Sequence, residues 1–129
     1  MAGSIVVAVS DIGGNITKYS VAWTSDASGN VNANSFAMKR GFLLQFKTVP
    51  GSGGSAPTSY GLTVLDADSW DILNGAGASQ SATAAAVFAP LIGNGTTNAR
   101  SPLIEAGNVT PTITGAGASK SGRLDLLIG

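Results

Sequence analysis

An all-β chain, folded as an antiparallel β-sandwich or barrel of about eight short strands, is what this sequence predicts. Three observations predict it. No segment sustains a 3.6-residue apolar period, whereas several short runs alternate apolar and polar residues with period 2. β-Branched and aromatic residues concentrate in those runs. Clusters of Gly, Pro, Asn and Asp separate them, and the 129 residues include 18 Gly and 5 Pro. The length suits a single domain spanning residues 1–129.

The elements follow in order. Ser4 to Val9 is a β-branched run closed by the turn formers Asp11-Ile-Gly-Gly14. Asn15 to Thr24 alternates, with Thr17, Tyr19, Val21 and Trp23 on one face. Ser25 to Asn30 is a loop. Gly41 to Val49 is the clearest strand, its alternation placing Phe42, Leu44 and Phe46 on one face and Gln45 and Lys47 on the other. Pro50 to Ser59 is an exposed low-complexity loop, expected to stay mobile or to order against a partner. Tyr60 to Leu65 is a strand, Asp66 to Asp71 a turn, and Asp71 to Leu73 a brief strand. Ala82 to Ala89 reads as a strand against the helical preference of Ala. Ser101 to Glu105, Val109 to Thr114 and Arg123 to Ile128 complete the set. Gly-Ala-Gly-Ala-Ser occurs at 75–79 and again at 115–119, which reads as two similar turns rather than a duplication.

Composition excludes several kinds of chemistry. The seven basic and seven acidic residues cancel, so the basic excess of a nucleic-acid or anionic-membrane binder is missing. With no Cys and no His there is no disulfide, no thiolate ligand, no Ser-His-Asp arrangement and no ordinary zinc site. Asp66, Asp68 and Asp71 have a spacing that presents oxygens, but the further ligands of a calcium loop do not follow; Asp side chains capping turn N–H groups are the simpler reading. Gly93-Asn-Gly95 lacks the Lys and the strand–helix context of a phosphate loop. Trp23, Trp70, Tyr19 and Tyr60 suit a core better than a sugar-binding surface. No cofactor, metal or catalytic residue is expected.

Tyr19-Ser-Val-Ala-Trp-Thr-Ser-Asp-Ala-Ser-Gly-Asn-Val31, Arg40-Gly-Phe-Leu-Leu-Gln45, Val49-Pro-Gly51, Pro57-Thr-Ser-Tyr60, Leu65-Asp-Ala-Asp68 and Asp71-Ile-Leu-Asn-Gly-Ala-Gly77 form an arrangement covering most of the chain. It resembles small virion structural proteins of tailed bacteriophages and prophages, and in size and composition their capsid decoration (cement) proteins. The resemblance implies a jelly-roll-like domain that assembles on a particle in the bacterial host cytoplasm, binds the major capsid protein or another virion protein, and forms a homo-oligomer, a trimer favoured. A neck or tail component, or a carbohydrate-binding module, is the alternative. Lys39, Arg40, Pro50 and Pro57 are the residues expected to touch a partner. Self-association has a physical ground as well: a folded monomer exposes about 6,000 Å², over which fourteen charges are sparse.

Overall fold

The computed structural model describes residues 3–32, 34–88 and 103–129. Among the described residues, nine strands form two antiparallel sheets that share one core. The larger sheet contains β1 (Ser4–Gly13), β2 (Ile16–Thr24), β9 (Ser121–Ile128), β4 (Gly41–Pro50) and β6 (Ala86–Phe88), in that order. β7 (Leu103–Ile104) joins it at β4, so β6 and β7 lie along β4 at opposite ends. The smaller sheet runs β3 (Phe36–Met38), β8 (Gly107–Thr114), β5 (Gly61–Leu65). The all-β antiparallel class is therefore the expected one. Within that class, the described sheets hold six strands and three, not the four and four of a simple jelly roll.

Alternation decides which side chains meet. Tyr19, Val21 and Trp23 of β2 point inward, as do Leu124, Leu126 and Ile128 of β9 beside them. Met38, Leu62, Val64, Val109 and Ile113 answer from the smaller sheet. Two tilted aromatic pairs span the layers: Trp23 with Tyr60 at 5.2 Å between ring centroids, and Tyr19 with Phe36 at 5.8 Å. The Tyr19 hydroxyl accepts a hydrogen bond from the Lys39 backbone N–H at 3.0 Å, which ties the end of β3 to β2.

Four sequence expectations change. Phe42, Leu44 and Phe46 do not share a face. The β4–β9 register slips between Leu43 and Gln45, so Leu44 is an extra residue; Leu43 and Phe46 are buried while Phe42 and Leu44 are exposed. Asp71 to Leu73 is a turn, not a strand, with one isolated bridge from Asp71 to Leu65. Its consecutive Ile72 and Leu73 are both buried, which a strand with one core face does not allow. β3 is an element that the sequence did not announce. The loop after β4, exposed over residues 52–55 as expected, makes its other contacts with its own chain. It makes a 3-10 turn at Gly53–Ser55, buries Pro57, and is held by Gly51 N–H to Ser121 O at 2.8 Å, Thr58 N–H to Ala116 O at 3.0 Å and Lys120 Nζ to Gly54 O at 2.9 Å.

The expected Ala82–Ala89 strand is confined to β6, and Ala89 lies outside the described residues, as do Ser101, Pro102 and Gly93-Asn-Gly95. The two Gly-Ala-Gly-Ala-Ser segments are both turns but make different contacts. Gly77 O accepts from Leu62 N–H at 2.8 Å, whereas Gly117 O accepts from the Ser25 hydroxyl at 2.6 Å.

Candidate interaction surface

One face of the larger sheet packs on the core; its other face looks outward, and the strand registers dictate what it shows. Its middle is charged. Asp125 of β9 is opposite Ser20 of β2 and Lys47 of β4, and residues directly opposite in antiparallel strands share a face. The carboxylate is only 2% exposed. Ser20 Oγ donates to it at 2.6 Å, Arg123 Nε lies 3.1 Å away and Lys18 Nζ 3.7 Å. Long basic side chains thus cover an acidic one, their stems shielding it while their charged ends reach water.

Toward the start of β4 the same face turns apolar. Phe42 is directly opposite Leu103 of β7, and both are about half exposed, at 48% and 56%. The bulge brings Leu44 beside them, and a Cβ placed on Gly129 would touch both Leu44 and Ile16 of β2. Ile16, Leu44, Phe42 and Leu103 therefore form a row across four strand positions. Lys39 and Arg40 stand at this end, exposed, in the connection from β3 to β4. Lys39 Nζ donates to Asn15 O at 3.3 Å. Two expected partner residues thus flank an apolar row that the sequence did not reveal, because unbulged alternation grouped Phe42 and Leu44 with the buried Phe46.

The other two expected residues lie elsewhere. Pro50 ends β4, ten residues from its start, so about 30 Å of strand separates it from Arg40. A groove of 320 Å³ at that end is lined by Trp23, Val49, Pro50 and Arg123 among others. Pro57 is buried. The four residues do not make one site.

The Asp66–Asp71 segment behaves as a turn. Asp66 Oδ1 accepts from the N–H groups of Asp68 and Trp70, both at 2.9 Å. Asp71 Oδ1 accepts from Val64 N–H at 3.0 Å and Leu73 N–H at 3.1 Å, and its Oδ2 from Gly75 N–H at 3.0 Å. Among the described residues no group of three or more acidic side chains is arranged to hold a metal ion. Of the four aromatics weighed for sugar binding, Tyr19, Trp23 and Tyr60 are in the core and Trp70 is 39% exposed.

One polar cluster is buried between the layers. Thr48 Oγ1 donates to Gln80 Oε1 at 3.0 Å, and Gln80 exchanges backbone hydrogen bonds with Tyr60. Burial pushes the Tyr60 phenol above its usual value, and the Thr48 hydroxyl beside it offsets part of that shift. The Tyr60 hydroxyl and Gln80 Nε2 nonetheless complete no hydrogen bond, a destabilising arrangement inside a core. It is closed from solvent and offers a ligand no entrance.

Comparison with protein-family models, curated proteins and solved structures finds no match to this chain. Among the described residues no helix is long and apolar enough to cross a membrane.

Proposed function

We propose that the protein is a virion structural protein of a tailed phage, a capsid decoration protein that binds across neighbouring capsid subunits and adds interface free energy to the head. The observation that carries this reading is the outward face of the larger sheet: the exposed row Phe42, Leu44 and Leu103, flanked by Lys39 and Arg40, on a chain with few charges. Such a face suits a partner met over an area, with apolar residues at the centre and a polar rim. The family resemblance in the sequence supplies the particle, the homo-oligomer and the favoured trimer. A neck or tail component uses the same surface chemistry and is the second structural reading. The carbohydrate-binding reading loses support, because a sugar platform needs exposed aromatic rings and three of the four stand in the core.

Copy number in purified particles tests the assignment. A decoration protein is present on the order of hundreds of copies, matching repeated capsid surface, and a neck or tail protein in about a dozen. Adding the purified protein to particles stripped of it gives the second arm. Phe42→Ser with Leu103→Ser should abolish rebinding while the circular dichroism stays that of the parent. Full rebinding by that variant removes the apolar row from the interface.

A further inference from the structure

β1 pairs with β2 along its whole length, and among the described residues nothing pairs with its other edge. This is a ten-residue strand. Over Ser4–Ser10 it has no Lys, Arg, Pro or charge, and its irregularity and its single charge, at Asp11, both lie beyond that run. Its backbone groups on that edge form a row that another strand can pair with. Its side chains favour one too. Val6 on the outward face is 71% exposed. Val9 is opposite the buried Tyr19 and so belongs to the core face, yet it is 60% exposed.

The strand is also complementary to itself. Ser4-Ile-Val-Val-Ala-Val-Ser10 reads nearly the same in both directions about Val7. We propose that β1 pairs antiparallel with β1 of a second copy, about a two-fold axis through Val7, joining the two larger sheets into one continuous sheet. In this register Val7 faces Val7 of the other copy, Ile5 faces Val9 and Val6 faces Ala8, with Ser4 facing Ser10 at the ends. Every position keeps its face, since each opposed pair has the same parity. The Ile5–Val9 contacts cover the overhanging Val9 on the core side, and Val6–Ala8 covers the exposed Val6 on the outer side. The two Asp11 residues are kept at opposite ends of the pairing, so no like charges meet. Gly3, where pairing would stop, is fastened by the Asn34 amide, whose Nδ2 donates to Gly3 O at 2.9 Å. The contact is isologous, so it closes at two copies and does not run on into a fibre.

The inference does not depend on the virion reading, puts a two-fold pair in place of the trimer that the resemblance favours, and is tested without any particle. The natural chain has no Cys, so single cysteines report neighbours cleanly. Directly opposed residues in antiparallel strands have Cα atoms about 4.5–5.5 Å apart, within the span of a disulfide. Under a mild oxidant, Val7→Cys should cross-link to a dimer at least tenfold faster than Val87→Cys, an equally apolar residue 57% exposed on β6. A mixture of Val6→Cys with Ala8→Cys should cross-link faster than either alone. Light scattering at tens of micromolar should give twice 12.7 kDa for the parent. Val9→Lys, at an exposed position, should give the monomer with an unchanged circular dichroism spectrum. A parent mass of one or three copies overturns the proposal. So does cross-linking of Val7→Cys no faster than of Val87→Cys, or a Val9→Lys variant that stays dimeric.

Discussion

Two loops in this protein are built on one plan and placed in opposite surroundings. Asp26 to Asn30 follows β2, and Asp66 to Trp70 follows β5. In each, the leading Asp accepts on Oδ1 from the N–H groups two and four residues on: Ser28 and Asn30 at 2.8 and 2.9 Å, Asp68 and Trp70 at 2.9 Å each. In each, the Asp backbone N–H donates to the fifth residue's carbonyl at 2.9 Å, and the fourth residue's N–H returns to the Asp carbonyl at 3.0–3.1 Å. The fourth residue is left-handed in both, Gly29 at φ +85° and Ser69 at φ +64°. One carboxylate and one left-handed residue therefore suffice to write this loop.

Their surroundings separate them. The first loop is zipped to the β8–β9 turn. Ala116 N–H donates to Gly29 O at 3.0 Å and Ser119 N–H to Asp26 O at 3.1 Å, while the buried Ser25 hydroxyl receives Lys120 N–H at 2.9 Å. A Cβ on Gly29 would fall 2.7 Å from Gly117 N. The second loop faces water, bordered by a 30 Å³ cleft shared with Glu105 and Asn108. Glycine is thus demanded in the first loop by its neighbour as well as by its dihedral angle, and in the second by the angle alone, which Ser tolerates at a cost.

The largest effect expected from that contrast is at Gly29. Gly29→Ala meets both the left-handed penalty and an immovable backbone, and should cost about 2–4 kcal/mol in denaturant unfolding. Ser69→Ala, measured alongside, should stay within about 0.5 kcal/mol, because Ser already occupies that angle. Equal losses at the two sites would break the comparison. Next, Asp66→Ala removes the acceptor for two N–H groups that water can still reach, and should cost about 1 kcal/mol by the same measurement. Asp26→Ala should lower the melting temperature further than Asp66→Ala, since its loop carries the β8–β9 turn with it.

The Asn30 N–H holds the Asp26 carboxyl below its ordinary 3.8; desolvation opposes it, and the N–H groups of Ser28 and Gly29 add to the lowering. The folded state therefore binds that proton less readily than the unfolded chain. The resulting stability is present above pH 3.8 and is lost as pH falls through the lowered folded value. Asp26→Asn should flatten this acid limb in a series of melts, and an unchanged limb would assign it to other carboxylates. The smallest effect is a gain: Ser69→Gly relieves the left-handed strain and should stabilise by about 0.5 kcal/mol, less than the strain itself because Gly also loosens the unfolded chain.

Much of the fold was legible in period-2 alternation, which located β2, β4, β5, β8 and β9. What escaped has physical causes. β3 has only Phe36, Ala37 and Met38, too short for a period to register. Ile72 and Leu73 looked like strand because they are apolar; they are buried from a turn held by the Asp71 carboxylate, a hydrogen-bond effect that hydropathy does not report. The candidate surface was half visible. Lys39 and Arg40 lie at the end of the sheet where the apolar row is exposed, but alternation grouped Phe42 and Leu44 with Phe46, and a single extra residue in β4 parts them from that buried ring. Bulges depend on how two strands share their hydrogen bonds, so one strand's sequence does not display them.

β9 lies between β2 and β4, with eight residues paired to β2 on one side and a bulged ladder to β4 on the other. In sequence it follows every other strand described. When synthesis reaches residue 120, both flanks of the larger sheet have been made and none of the strand that joins them. Until residues 121–128 emerge, the nascent chain presents two additional open edges, on β2 and β4, to whatever is near. The strand at the middle of the larger sheet is thus made after all the others described.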